Sequence, residues 1–158
     1  MKAASISELK NELKTLSQKD LVDVCLRLAK YKTDNKALIG FLLFEAHNKP
    51  AFVEEIKNEI ITQFNEINPQ QNLYFIKKSL RKIKRQIVKY AKYIDDKALA
   101  ADLHIFFCLQ LKESGIPFEK SQQLSNLYAA ELKTILGLIK ALHPDLQADY
   151  NHELEKII

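Results

Sequence analysis

Apolar residues recur at intervals of three and four along the whole chain, and no segment keeps the alternation of two that marks a strand. Polar capping residues, glycine and proline interrupt this pattern at several points. The pattern predicts helices at about 6–16, 18–31, 35–47, 50–67, 70–94, 96–114 and 144–157. A further helix is predicted to begin between Phe118 and Gln122 and to end at about Leu142.

This succession of helices predicts an all-α protein. The connections are short, which makes neighbouring helices antiparallel. We therefore expect one all-helical domain over residues 1–158, with about eight antiparallel helices in one orthogonal bundle or a short α-α superhelix. The third and sixth helices should be the most buried, because 38–44 and 105–109 are apolar on nearly all sides. The chain has only three glycines and four prolines, too few turn residues for a many-stranded barrel.

The fifth predicted helix carries an unusual concentration of positive charge. Eight basic residues and no acidic ones lie between Pro69 and Ile94, whereas the rest of the chain has 24 − 8 = 16 basic residues against 20 acidic ones. An apolar seam of three and four spacing runs along one side of this helix, so the cations occupy its outer face. The basic residues are Lys77, Lys78, Arg81, Lys82, Lys84, Arg85, Lys89 and Lys92.

The basic face has three interpretations that the sequence leaves open. Lysines and arginines along one rod bind phosphates by counterion release, and exposed tyrosines on the same helix would add stacking to bases. The same charges would attract an acidic protein or an anionic membrane surface. Alternatively, the face is solvated and partly paired with the acidic residues of the fourth helix, which are Glu54, Glu55, Glu59 and Glu66.

Motifs for enzymatic chemistry are absent from the sequence. It contains no nucleophile elbow, no glycine-rich phosphate loop and no HExxH or ExxH spacing. His104 and Cys108 are four residues apart and could supply two metal ligands from one face, but packing explains them as well. A metal-dependent enzyme would need at least three side chains together from a scattered set, namely His47, His104, His143, His152, Asp145 and Asp149. We therefore predict no catalytic residue, no metal and no cofactor.

The two cysteines, Cys25 and Cys108, lie far apart in apolar stretches, which predicts buried free thiols and a reducing compartment. The first residues lack the apolar core of a signal peptide. No apolar window approaches the roughly 20 residues of a membrane span. The expected location is the cytoplasm.

Two segments resemble a family of small, all-helical bacterial proteins without an assigned function. They are LKNELKTLSQKDLVDVCLRLAK at 9–30 and IKKSLRKIKRQI at 76–87. The resemblance implies a bacterial, cytoplasmic, helical domain and brings no functional residue with it. We therefore predict a non-enzymatic interaction protein whose basic face, centred on Lys77, Arg81, Lys84 and Arg85, meets an anionic partner. That partner is an acidic protein or, alternatively, a nucleic acid.

Overall fold

The computed structural model describes all residues from 1 to 158, and it contains no strand. The prediction of an all-α protein is therefore confirmed. The α-helices are α1 (Ile6–Thr15), α2 (Gln18–Tyr31), α3 (Thr33–Gly40), α4 (Lys49–Asn65), α5 (Leu73–Ile94), α6 (Lys97–Glu113), α7 (Gln122–Lys140) and α8 (Pro144–Glu155).

The third predicted helix, about 35–47, is α-helical only as far as Gly40. Residues Phe41–Glu45 then form a π-helical turn and Ala46–Asn48 a 3-10 turn. The proline expected to start a new helix, Pro50, lies in the first turn of α4, where a missing N–H costs nothing. The prediction that a new helix begins near Pro50 is therefore confirmed, because α4 begins at Lys49 with Asn48 as its N-cap.

The chain falls into two compact units, residues 1–45 and 46–158. A single domain over 1–158 stays a prediction. In the first unit, Ser5 and Glu8 form a capping box at the start of α1. The side-chain amide of Asn35 donates to the carbonyl of Leu28, which joins the start of α3 to the end of α2.

The first unit has very little core. None of α1, α2 and α3 contains a buried residue, and Phe41 is the one buried residue of the unit. Leu42, Leu43 and Phe44 are 56%, 70% and 69% exposed, so the prediction that the third helix is central was wrong. An apolar pattern predicts burial only where neighbouring elements cover every side of the helix.

The second unit is built around α6, which packs against α4, α5 and α7. Its buried residues cover most of its circumference, and Phe107 packs against Phe64 with ring centroids 5.7 Å apart. The prediction that the sixth helix is central is therefore confirmed. A left-handed cap follows its C-terminal end, because Gly115 has φ +73°.

Tyrosines attach α8 to the rest of the second unit. The hydroxyl of Tyr150 lies 2.7 Å from Oδ1 of Asp102 and 2.9 Å from the carbonyl oxygen of Ala98, both on α6. The hydroxyl of Tyr128, on α7, donates to the carbonyl of Ile157 at 2.6 Å. Each contact satisfies a tyrosine hydroxyl whose ring is largely removed from water.

Candidate anion-binding groove

The apolar seam of α5 fixes the direction of its basic face. Ile76, Leu80, Ile83, Ile87 and Ile94 are all buried, as the sequence predicts. Because a helix turns by about 100° per residue, the lysines and arginines between them project away from the core. Leu73, at the start of the seam, is 43% exposed and lies outside the core.

The basic residues nearest to α7 line a groove between α5 and α7. Arg81, Lys84 and Arg85 form its α5 wall, and Gln123 and Asn126 form its α7 wall. The cavity in this groove has a volume of about 570 Å³. Two carboxamides and three cations therefore converge on a space large enough for a side chain or a short peptide segment.

The floor and one end of the groove are defined by further contacts. Val88 and Leu127 contribute apolar surface to the groove. At the N-terminal end of α5, Nζ of Lys77 donates to Oε1 of Gln123. This hydrogen bond links the cation of Lys77 to the α7 wall. Of the predicted centre of the basic face, Arg81, Lys84 and Arg85 line this groove, and Lys77 contacts its α7 wall.

A buried carboxylate anchors Lys84 in the wall of this groove. Nζ of Lys84 lies 2.9 Å from Oε1 of Glu131, and Nδ1 of His104 lies 2.6 Å from Oε2. The Glu131 side chain is fully buried, and that of Lys84 keeps 29% of its exposure. Lys84 therefore has its ammonium group held by α7 while part of its stem still faces solvent.

The electrostatics of this cluster favour an ionised carboxylate. Burial acts to raise the pKa of Glu131, but hydrogen bonds and charges from His104 and Lys84 outweigh it, so this pKa lies below its ordinary value. An ionised carboxylate can only accept hydrogen bonds, so Nδ1 of His104 carries the proton and donates. The charges of Glu131 and Lys84 offset each other, so the positive charge of the groove comes mainly from Arg81 and Arg85.

A second cavity, of about 360 Å³, continues along α5 toward its C-terminus. Lys84 and Val88 line both cavities, and Lys92 and Lys97 extend the cationic lining. Asp95 and Asp96 also border this end, so the second cavity is electrostatically mixed. Of the two cavities, the first is lined by basic and no acidic side chains, whereas the second is lined by both.

The other basic residues of α5 face a different direction. Lys82 borders a small cavity with Gln63 and Glu66 between α4 and α5, and Lys89 lies over the rings of Tyr90 and Tyr93. Lys78 is exposed beside them on the helix. The eight predicted residues therefore divide into a groove set (Lys77, Arg81, Lys84 and Arg85), an outer set (Lys78, Lys82 and Lys89), and Lys92 at the second cavity.

Helix α4 does not neutralise the basic face through ion pairs. Among its three acidic residues, Glu54 pairs with Lys57 of its own helix, and Glu59 accepts a hydrogen bond from the amide of Gln86. Of the eight basic residues on α5, Lys84 alone forms an ion pair, and its partner comes from α7. The interpretation in which α4 pairs with α5 is thus not supported by direct contacts.

The sequence analysis did not identify Glu131, although its place in the apolar spacing of α7 indicates that it is buried. The buried positions of α7 are Leu124, Tyr128, Glu131, Ile135 and Ile139, which follow one another at intervals of three and four. A glutamate at an inward position of such a seam requires a buried partner. That partner is His104, for which we had considered metal binding with Cys108 or simple packing.

The structure does not assemble the residues considered for a metal site. No group of three or more histidine, cysteine, aspartate or glutamate side chains is placed to hold a metal ion. His104 is engaged with Glu131, and Nδ1 of the exposed His143 caps α8 through the backbone N–H of Asp145. His152 approaches Glu155 rather than Asp149.

The two cysteines differ in environment. Cys108 is buried as predicted, and burial raises its thiol pKa to about 12. Cys25 is exposed, so the prediction that both thiols are buried was wrong for this residue. Cys25 is exposed because no other helix covers the apolar side of α2 on which it lies.

None of the helices combines the length and the hydrophobicity that a membrane span needs.

Comparison with known proteins adds no functional residue to the groove. No family model matches the chain, and neither a curated protein nor a solved structure does so. The geometry of the groove is therefore the functional evidence.

Proposed function

We propose that this protein is a non-enzymatic interaction protein whose α5–α7 groove binds an acidic segment of a partner protein. One observation supports this above all: Arg81, Lys84 and Arg85 line one concave surface. Neither arginine forms an ion pair within the chain, so both are available to an external carboxylate.

The lining of the groove favours a peptide over a nucleic acid. Val88 and Leu127 offer an apolar floor between the cations and the carboxamides of α7. An acidic amphipathic helix or strand would place apolar side chains on this floor and carboxylates on the basic rim. Guanidinium groups suit this role because they bind carboxylates through two parallel hydrogen bonds.

A nucleic acid is the second candidate. The cations continue along α5 from Lys77 to Lys92, and Tyr74 near the start of the helix is 61% exposed. A single strand following the helix would contact phosphates with the cations and stack a base on the tyrosine. Binding of this kind would weaken steeply as the salt concentration rises.

Three broader expectations belong to the same proposal. The free thiols of Cys25 and Cys108 support a cytoplasmic, reducing environment. The family resemblance supports a bacterial origin. The short connections between helices support an antiparallel arrangement in one orthogonal bundle or short superhelix.

Fluorescence anisotropy with two charge-reversed variants tests the proposal. The probes are a labelled amphipathic peptide with alternating leucine and glutamate faces, a single-stranded RNA and a duplex DNA, at low and near-physiological salt. The groove variant carries Arg81→Glu and Arg85→Glu. The matched control carries Lys78→Glu and Lys82→Glu, which changes the net charge equally on the outer side of the same helix.

We expect the peptide to bind at near-physiological salt, with affinity reduced at least about tenfold in the groove variant and much less in the control. Equal losses in both variants would contradict a groove and indicate diffuse charge attraction. If RNA or DNA binds and the peptide does not, the result would contradict the peptide proposal and favour a nucleic acid as the partner. Absence of binding to all three probes would refute both candidates.

A further inference from the structure

The helices of the first unit leave more apolar surface exposed to solvent than the helices of a stable folded domain do. Besides Met1, twelve large apolar residues of this unit are at least about one-third exposed, in a segment with one buried residue. They are Ile6, Leu9, Leu13, Leu16, Val22, Val24, Leu26, Leu28, Tyr31, Leu42, Leu43 and Phe44. A helical segment of this length rarely builds a sufficient core by itself.

Helix α2 shows this excess of exposed apolar surface most clearly. Its apolar residues from Leu21 to Ala29 spread over an arc of about 200°, since each residue advances by about 100°. Its charged residues Lys19, Asp20, Asp23, Arg27 and Lys30 share the opposite side. A helix with so wide an apolar arc packs against neighbours on at least two sides, and α3 covers only part of the arc of α2.

We propose that a second copy of this chain covers this surface, so that the first units of two protomers form one shared helical core. The interface would be isologous, with the same apolar face contributed by both copies. This inference concerns residues 1–45 and is independent of the α5–α7 groove.

The amount of apolar surface agrees with a dimer. The exposed fractions of the twelve residues correspond to roughly 1,000 Å² per protomer, compared with about 800 Å² per partner in a standard stable interface. Covering it would also supply the core that α1, α2 and α3 lack.

The charge of the first unit favours a second copy over a strongly charged partner. Residues 1–45 contain eight basic and six acidic residues, and both signs are interspersed along α1 and α2. Two such faces meet without strong net repulsion. A nucleic acid or an anionic membrane surface would instead select a polar face dominated by lysine and arginine.

Other means of stabilising a small unit are not present. Cys25 is a free thiol, so no disulfide joins these helices. No cluster of metal-binding side chains is available to replace a core. Neither a disulfide nor a metal site therefore compensates for the missing core of this unit.

Sedimentation equilibrium of the full chain over a wide concentration range tests the proposal. The expected mass is twice the 18.2 kDa of the protomer, with dissociation on dilution. A first variant carries Leu9→Lys and Leu13→Lys on the apolar stripe of α1. The control carries Asn11→Lys and Thr15→Lys, which adds the same charge on the opposite side of that helix.

We expect the stripe variant to dimerise at least about tenfold more weakly and the control to dimerise as the wild type does. Hydrogen exchange of the unmodified chain supplies a measurement that does not depend on the variants. Amides of 1–45 should gain protection as the concentration rises through the dimerisation range, while those of 46–158 stay constant.

Three results would overturn the proposal. The first is a protomer mass at every concentration, which would mean that the face stays open or is covered within one chain. The second is equal dimerisation of the stripe variant and its control. The third is concentration-dependent protection confined to 46–158, which would place the interface elsewhere.

Discussion

Replacing Glu131 by glutamine tests the buried cluster that holds Lys84 in the groove wall. The substitution preserves the size and shape of the side chain but removes its charge. In the wild type, this fully buried carboxylate lies 2.6 Å from Nδ1 of His104 and 2.9 Å from Nζ of Lys84. The variant loses two charge-assisted contacts and leaves a partly buried ammonium group without its counter-ion.

The expected loss of folding stability follows from how far the side chains of Glu131 and Lys84 are exposed to solvent. Removing one member of a deeply buried ion pair costs about 3–5 kcal/mol. The Lys84 side chain keeps 29% of its exposure and can recover water, and the new amide still accepts a hydrogen bond. We therefore expect Glu131→Gln to lower the free energy of unfolding by about 1.5–3 kcal/mol, the usual value for hydrogen bonds to charged groups.

Equilibrium unfolding in urea at pH 7 and fixed protein concentration measures this difference. The exposed Glu113 provides a control, because Glu113→Gln should change the free energy of unfolding by less than about 0.5 kcal/mol. A Glu131→Gln variant as stable as the wild type would refute the view that the charge of Glu131 stabilises the fold.

The same comparison has a predicted pH dependence. The folded-state pKa of Glu131 lies below its ordinary value of 4.5. Its contribution is therefore complete above pH 4.5 and is lost as the pH falls through the lower folded-state value, because the unfolded chain binds the proton first. The difference between wild type and Glu131→Gln should shrink on acidification below pH 4.5. A difference that grows would contradict the assignment.

Two further predictions concern the thiols and the attachment of α8. A thiol reagent followed by intact-mass spectrometry should modify Cys25 first and Cys108 only on unfolding, because burial raises the Cys108 pKa to about 12; early modification of Cys108 would contradict its burial. Tyr150→Phe should lower the free energy of unfolding by about 1–2 kcal/mol in urea and hasten proteolysis within 144–158, because the contacts of its hydroxyl with Asp102 and Ala98 are lost. Unchanged stability and cleavage would show that these contacts do not hold α8.

The buried face and the basic face of α5 were predictable from the local pattern of apolar and charged residues alone. Its apolar seam is regular over the 22 residues of the helix, and its cations fall on the remaining surface. The sequence therefore predicts both the buried and the basic face. It does not reveal which cations share a groove, because that depends on where α7 packs. Arg81 and Arg85 became distinguishable from Lys78 and Lys82 only through the positions of Gln123 and Asn126.

The errors in the first unit have a common physical cause. Apolar residues on all sides of the predicted third helix indicate that the helix needs partners, and they do not say which chain supplies them. The exposure of Leu43 and Phe44 is the consequence within a single protomer. The exposure of Cys25 has the same origin. The local pattern thus identified the apolar residues correctly but could not show whether neighbouring helices cover them.

The ratio of peptide affinities between the two charge-reversed variants is the most direct test of the groove. Both variants lower the net charge equally and alter the same helix, so they differ mainly in which side of α5 is changed. We predict that Arg81→Glu with Arg85→Glu weakens binding of the acidic peptide at least about tenfold more than Lys78→Glu with Lys82→Glu. Equal affinities in the two variants would contradict an anion-binding groove between α5 and α7.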